Sequence, residues 1–263
     1  MRRTRSACLT AVVAAAASLS LAAPARAVPE TAPCTPAVDA GTESGMGRVL
    51  GLMDDLRESG HGRAEIDAVL ADLACMTRVP TTTGEPVSAR AAALPDAPVD
   101  VTAPSVYVIT EVNGRDRWVA ITEWSWRTVP TYPMTGNQGI ATWFSSGVNP
   151  IVQVVHHSGH TSQFPNVSRE DASDLNDHGV SFLMAPRTSA TDLNVARGMS
   201  SLVFEGRDGC ADPTVTSSYS HSFGSTSISA IDISADGQEV HWTAEDGRAQ
   251  STGPATRVAG VCS

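Results

Sequence analysis

Val106-Tyr107-Val108-Ile109-Thr110-Glu111-Val112, then Asn113-Gly114, then Trp118-Val119-Ala120-Ile121-Thr122-Glu123-Trp124-Ser125-Trp126 is the stretch that decides the fold. Two runs rich in β-branched and aromatic residues flank an Asn-Gly pair. Asn-Gly accepts the positive φ values of a type I′ turn, so the runs read as an antiparallel hairpin. Trp118, Ala120, Thr122, Trp124 and Trp126 share one face, because side chains alternate along a strand. Exposed, that face would be a platform for stacking sugars, with Trp118, Trp124 and Trp126 as ligand-binding residues. Facing inward, it is core. The chain holds only 5 Trp, 3 Tyr and 5 Phe. A sheet of this size needs them inside, which favours the core.

Working outward toward the C-terminus, further strands are expected over 140–144, 151–157, 160–164, 180–184, 201–205, 214–220, 227–234 and 239–243. Ser158-Gly159, Asp236-Gly237 and Asp246-Gly247 supply turns between them. Many short strands with turn chemistry predict a mainly β fold, an antiparallel β-sandwich or barrel over 105–263. Working the other way, 76–104 carries Pro80, Pro86, Pro95, Pro98 and Pro104 and reads as a linker, since proline denies a strand its ladder hydrogen bonds. Before it, Met46, Val49, Leu50, Met53 and Leu56 fall at helical spacing, as do Ile66, Val69, Leu70 and Leu73. Ser59-Gly60-His61-Gly62 breaks the two runs apart. A small α-helical hairpin is expected within 28–75, each helix covering the apolar stripe of the other.

Residues 1–27 read as a bacterial-type signal peptide. Arg2, Arg3 and Arg5 form the positive region, 9–23 is apolar but too short for a membrane span, and Ala25-Arg26-Ala27 is a small-x-small cleavage site. The expected mature protein is therefore secreted. Cleavage near Ala27 removes four arginines and no acid from a chain of formal net charge −10, leaving it more acidic still. Nucleic acid and anionic membranes are excluded as partners, since both need clustered positive charge. Every one of the 18 basic residues is arginine. Without lysine, Schiff-base chemistry, a pyridoxal-phosphate anchor, a Walker lysine and a Ser-x-x-Lys site are all impossible.

Cleavage also removes Cys8 and leaves Cys34, Cys75, Cys210 and Cys262. Pairing Cys34 with Cys75 and Cys210 with Cys262 keeps each disulfide inside one expected segment and is preferred among three pairings.

Two clusters could bind ions. His156-His157-Ser158-Gly159-His160 would sit on a hairpin tip, where His157 and His160 become cross-strand neighbours able to share a zinc. His156 points to the other face and needs a bulge to join them. Asp174-Leu175-Asn176-Asp177-His178-Gly179 imitates the opening of a calcium loop. Position twelve from Asp174 is Ala185, so an EF-hand is rejected, and an irregular calcium site on Asp174, Asn176 and Asp177 is the remaining form. No other cofactor is expected. No Gly-x-Ser-x-Gly elbow occurs, and no catalytic residue is named.

The sequence thus favours an extracellular binding or interaction module for a protein or a glycan over an enzyme. The alternative is a secreted hydrolase using zinc at the histidine cluster or a serine triad assembled by the fold.

Overall fold

The apolar stripes at Met46, Val49, Leu50 and Met53 and at Ile66 and Leu70 become two helices, α1 (Glu43–Glu58) and α2 (Arg63–Ala74). The computed structural model describes residues 34–84, 94–130, 134–167, 170–207 and 212–261, and residues 34–263 form one compact unit. The expected leader, Cys210 and Cys262 lie outside the described residues. Thr42 caps α1, its hydroxyl accepting from the Gly45 amide at 3.1 Å, which satisfies one of the orphan donors of the first turn. Cys75 ends α2 in the left-handed region, with φ of 54°. There its thiol bonds to Cys34 across a Cα separation of 5.8 Å, as the preferred pairing expects.

Strands make up about half of the described residues. In chain order they are β1 (Thr77–Arg78), β2 (Thr81–Gly84), β3 (Val99–Val101), β4 (Ser105–Val112) and β5 (Arg115–Trp126). Then come β6 (Gln138–Phe144), β7 (Val148–Ser158), β8 (Ala172–Asn176), β9 (Gly179–Met184) and β10 (Arg197–Gly206). The last five are β11 (Thr214–Ser222), β12 (Ile228–Ser234), β13 (Gly237–Trp242), β14 (Arg248–Thr252) and β15 (Ala255–Val258). Sheet A runs β1-β4-β5-β10-β7, with β3 also on β5. Sheet B runs β2-β15-β11-β6-β9-β8, with β14 also on β11. Among the described residues, β12 and β13 pair only with each other. All these pairings are antiparallel. Asn113 and Gly114 adopt φ of 53° and 76° between β4 and β5, the geometry a type I′ turn requires.

Three apolar clusters hold these parts. The largest takes Trp118, Trp124 and Trp126 from β5, Leu202 and Phe204 from β10, and Ile140, Phe182 and Tyr219 from sheet B. The second joins Met46, Leu50, Met53 and Leu70 of the helices to Tyr107, Ile121, Met199 and Val203 on the opposite face of sheet A. The helices therefore cover a sheet, and not chiefly each other as expected. A helix of three or four turns buries more apolar area on a sheet than on one equally short neighbour. Arg78 reinforces the junction by bonding Asp67 of α2 at 2.6 Å and the Tyr107 hydroxyl of β4 at 2.6 Å. The third cluster packs Ile228, Ile231 and Ile233 of β12 on Ala141 and Trp143 of β6. Gly139 permits this approach, since a Cβ there would lie 2.3 Å from the Ile231 Cδ1.

The structure departs from expectation in three further places. The proline-rich stretch supplies β1, β2 and β3, placing Pro80 and Pro98 just before short edge strands where no ladder donor is lost. Residues 160–164 form turns and bends in place of a strand. The acidic stretch expected as a loop contains β8, the edge of sheet B. Among the described residues no helix is long and apolar enough to cross a membrane.

Candidate functional site

Strand β7 runs through Ser158, one residue into the expected turn. His156 shares parity with Val154, which packs under the helices, and its Nε2 stands 3.5 Å from Asp54 Oδ2 on α1. His157 has the opposite parity. Its Nδ1 lies 2.9 Å from the Asn194 carbonyl and its Nε2 3.6 Å from Glu170 Oε1. Its ladder partner is Gly198, with a further bridge to Val167. His160 lies beyond the strand, where the buried Asp192 carboxylate accepts from its amide at 2.7 Å and from the Thr161 amide and hydroxyl at 3.1 and 2.6 Å. Capture of these donors turns the chain away from β7, so His157 and His160 are not cross-strand neighbours. Among the described residues no group of three His, Cys, Asp or Glu side chains could hold a metal ion.

Asp54, Ser158, His156 and Arg197 form a buried polar knot between α1 and sheet A. Ser158 Oγ donates to Asp54 Oδ2 at 2.9 Å and accepts from Arg197 Nε at 2.9 Å. Arg197 also pairs with Glu58. Burial alone would raise the Asp54 pKa, but His156, Ser158 and Arg197 together hold it below the usual carboxylate value. The order is serine to carboxylate, with the imidazole on the far side of the acid. An activated serine needs the imidazole between the two, so this knot does not make a nucleophile. Its work is to fasten α1. Asp54→Ala is expected to cost about 2 kcal/mol in urea unfolding, because Ser158 and Arg197 lose a buried acceptor while Arg197 keeps Glu58. An unchanged midpoint would contradict this.

The calcium candidates are engaged elsewhere. Asp174 Oδ2 accepts from the Ile233 amide at 2.8 Å and from Asn176 Nδ2 at 2.9 Å, and Asn176 Nδ2 also reaches the Ile233 carbonyl at 2.9 Å. These bonds lace β8 to β12. Asp177 pairs with Arg207. The three tryptophans of β5 are buried, at 6%, 2% and 2% exposure for Trp118, Trp124 and Trp126. Trp124 Nε1 donates to the Val195 carbonyl at 3.1 Å, and Trp126 sits edge-on to Tyr219. None of the three presents a face for a ligand to stack on.

The residues that do surround a cavity come from the hairpin and β14. A cleft of about 550 Å³ lies between β12–β13 and the outer side of sheet B, within the range typical of small-molecule sites. Gln238, Val240 and Trp242 share the inward parity of β13. Val240 and Trp242 pack partly on the third cluster, and Gln238 is only 9% exposed. Opposite stand Arg248 and Gln250 of β14. Gln250 Nε2 donates to Ser218 Oγ at 2.8 Å, and Arg248 Nη2 pairs with Glu245 at 2.6 Å. Asp232, Asp236 and Glu239 also line the cleft, and Asp232 Oδ2 lies 2.8 Å from His241 Nε2. Two atoms here stand out. Gln238 Oε1 and Arg248 Nε are shielded from solvent and have no hydrogen-bond partner.

Sequence reasoning located the turn after β12 but passed over this cleft. The signal was a glutamine at the inward parity of a strand, four residues before a tryptophan. Pairing of Ser234 with Gly237 shows that Ala235 and Asp236 form the turn, one residue earlier than expected. Gly237 opens β13 at φ of 139°. No family model matches the chain, and a comparison with curated proteins finds no match.

Proposed function

We propose that the chain is a secreted module that binds a glycan in the cleft between the β12–β13 hairpin and β14. One observation carries the reading: Trp242 shares a concave surface with two side-chain amides, an arginine and three carboxylates. A sugar ring has apolar faces and a hydroxyl rim. An aromatic face with convergent donors and acceptors complements both. The two large sheets act as a stacked sandwich that carries the hairpin. A helical hairpin on the far face and a second bridge between Cys210 and Cys262 complete the scaffold. Export by the N-terminal leader fits a protein stapled by a disulfide. The histidine and acidic clusters serve the scaffold, so neither zinc nor calcium enters this function.

Intrinsic tryptophan fluorescence tests it. Trp118, Trp124, Trp126 and Trp143 are buried, which leaves Trp242 as the indole a sugar can reach. Titration with cellotriose, maltotriose, xylotriose and chitotriose is expected to quench or shift the emission with at least one of them. Trp242→Ala is expected to abolish that response and to weaken binding about tenfold or more. Absence of any response, or an undiminished affinity in Trp242→Ala, would overturn the proposal. Capture of an extended peptide by the cleft with no sugar response would do the same.

A further inference from the structure

We infer that the cavity where α1, α2 and sheet A meet binds one tetrahedral oxyanion, a phosphate or sulfate group, free or as a terminal monoester. The cavity measures about 200 Å³ and shares no lining residue with the cleft beside β13 and β14. Arg57 of α1, His61 of the turn between the helices, Arg63 of α2 and Arg78 of β1 line it. Glu123 of β5 is the only acid among its described lining residues, and the buried Tyr107 of β4 forms part of the wall.

The chemistry of this wall is one-sided. A guanidinium carries five N–H donors and accepts nothing. Arg78 commits four of its five, two to Asp67 and one each to Ser105 and Tyr107, and the remaining one is on Nη1. Arg57 pairs through Nη2 with Glu123 at 2.5 Å and sets Nη1 3.0 Å from Met199 Sδ, which leaves three. Arg63 makes no hydrogen bond or ion pair with any described residue. Asp67, one turn along α2, feels the Arg63 charge, but that carboxylate is bonded to Arg78. Three fixed positive charges thus surround one small cavity with a single carboxylate between them, in a chain of formal net charge −10. They repel one another, and an anion among them reverses the sign of that interaction. The acidity of the rest of the chain does not oppose it, because exposed charges beyond about 8 Å are screened at physiological ionic strength. Phosphate and sulfate present acceptor oxygens in several directions, which suits donors arriving from α1, α2 and β1. A carboxylate holds its two oxygens in one plane and reaches fewer of them.

Calorimetric titration of the full chain at constant ionic strength with inorganic phosphate, sulfate, glycerol 3-phosphate and acetate in turn tests the inference. Phosphate or sulfate is expected to bind once per chain with a dissociation constant of about 1 mM or tighter. Acetate is expected to bind at least about tenfold more weakly. Glycerol 3-phosphate binding as tightly as phosphate supports the inference with a monoester end as the ligand, and its rejection supports it with the free ion. Arg63→Gln removes a side chain that has no bond in the fold to lose. It is expected to weaken phosphate at least about tenfold. Arg48→Gln, also on a helix but not lining the cavity, is expected to leave phosphate binding unchanged. Saturating phosphate is also expected to raise the melting temperature of the wild-type chain, and Arg63→Gln to lose that rise. Absence of saturable phosphate and sulfate binding would overturn the inference. So would acetate binding as tightly as phosphate, full affinity in Arg63→Gln, or equal losses in the two variants. The sugars of the fluorescence titration are neutral and their cleft is separate, so each reading stands or falls on its own experiment.

Discussion

Replacing Cys34 and Cys75 together with serine is expected to lower the stability of the protein by about 4 kcal/mol in urea unfolding. The bridge closes a separation of 41 residues, and the chain-entropy model gives that figure for a loop of this length. The loop holds both helices, so the unfolded chain regains the freedom of the whole segment that covers one face of sheet A. The loss is expected to fall on the helical layer first. Amide exchange should quicken at Leu50, Met53 and Leu70 before it quickens in β5 or β10. A loss below about 1 kcal/mol would mean that the segment is constrained without the bridge. Equal acceleration throughout would mean that the helices and sheets unfold as one body.

The second large effect is a loss of stability in mild acid through His221. This side chain is 1% exposed, flanked by Trp126 edge-on and Phe223 stacked, and burial lowers its pKa from 6.5 to about 4. Gln138 Nε2 donates to the Gly136 and Ser222 carbonyls, which aims its Oε1 at His221 Nδ1, 2.7 Å away. The ring is therefore neutral with its proton on Nδ1. In the unfolded chain the imidazole takes up a proton near pH 6.5, whereas in the folded chain it does so only near pH 4. Stability falls as pH drops between these values, by about 3 kcal/mol in all, because the unfolded state binds more protons there. Below that window the carboxylates with lowered pKa, Asp54, Asp67 and Asp192, add their own losses as each is protonated. His221→Gln is expected to be less stable at pH 7 yet nearly flat between pH 6.5 and 4. A wild-type slope retained in that variant would place the acid sensitivity elsewhere.

How far the fold could be read from the chain follows from the range of the interactions. The Asn113-Gly114 hairpin was plain because turn and alternation lie within a few residues. The helical stripes were plain for the same reason. What covers those stripes was not, because Tyr107, Ile121 and Met199 are brought to them only by the sheet. The strand assigned to 160–164 failed on Asp192, a carboxylate about thirty residues downstream whose bonds to the 160 and 161 amides leave no local mark. The acidic stretch looked like a calcium loop because its oxygens were counted without their partners. Asp174 and Asn176 spend them on Ile233, which is distant in sequence.

The candidate site was harder still. Tryptophans at strand parity drew attention to β5, where burial makes them core. Trp242 was passed over because a lone aromatic near a turn has no pattern around it. It lines the cleft together with Arg248 and Gln250, which β11 holds in place through β14. Likewise, an unpartnered Gln238 oxygen becomes visible only when its neighbours are in position.

The most direct test of the proposed glycan site is a backbone-amide NMR titration of the protein with cellotriose, maltotriose, xylotriose and chitotriose in turn. The largest shifts are expected at Asp232, Gln238, Trp242, Arg248 and Gln250, with the Asp54–His156–Arg197 knot and the 174–177 segment undisturbed. Shifts centred on that knot or that segment, with the β12–β13 hairpin and β14 unchanged, would contradict it.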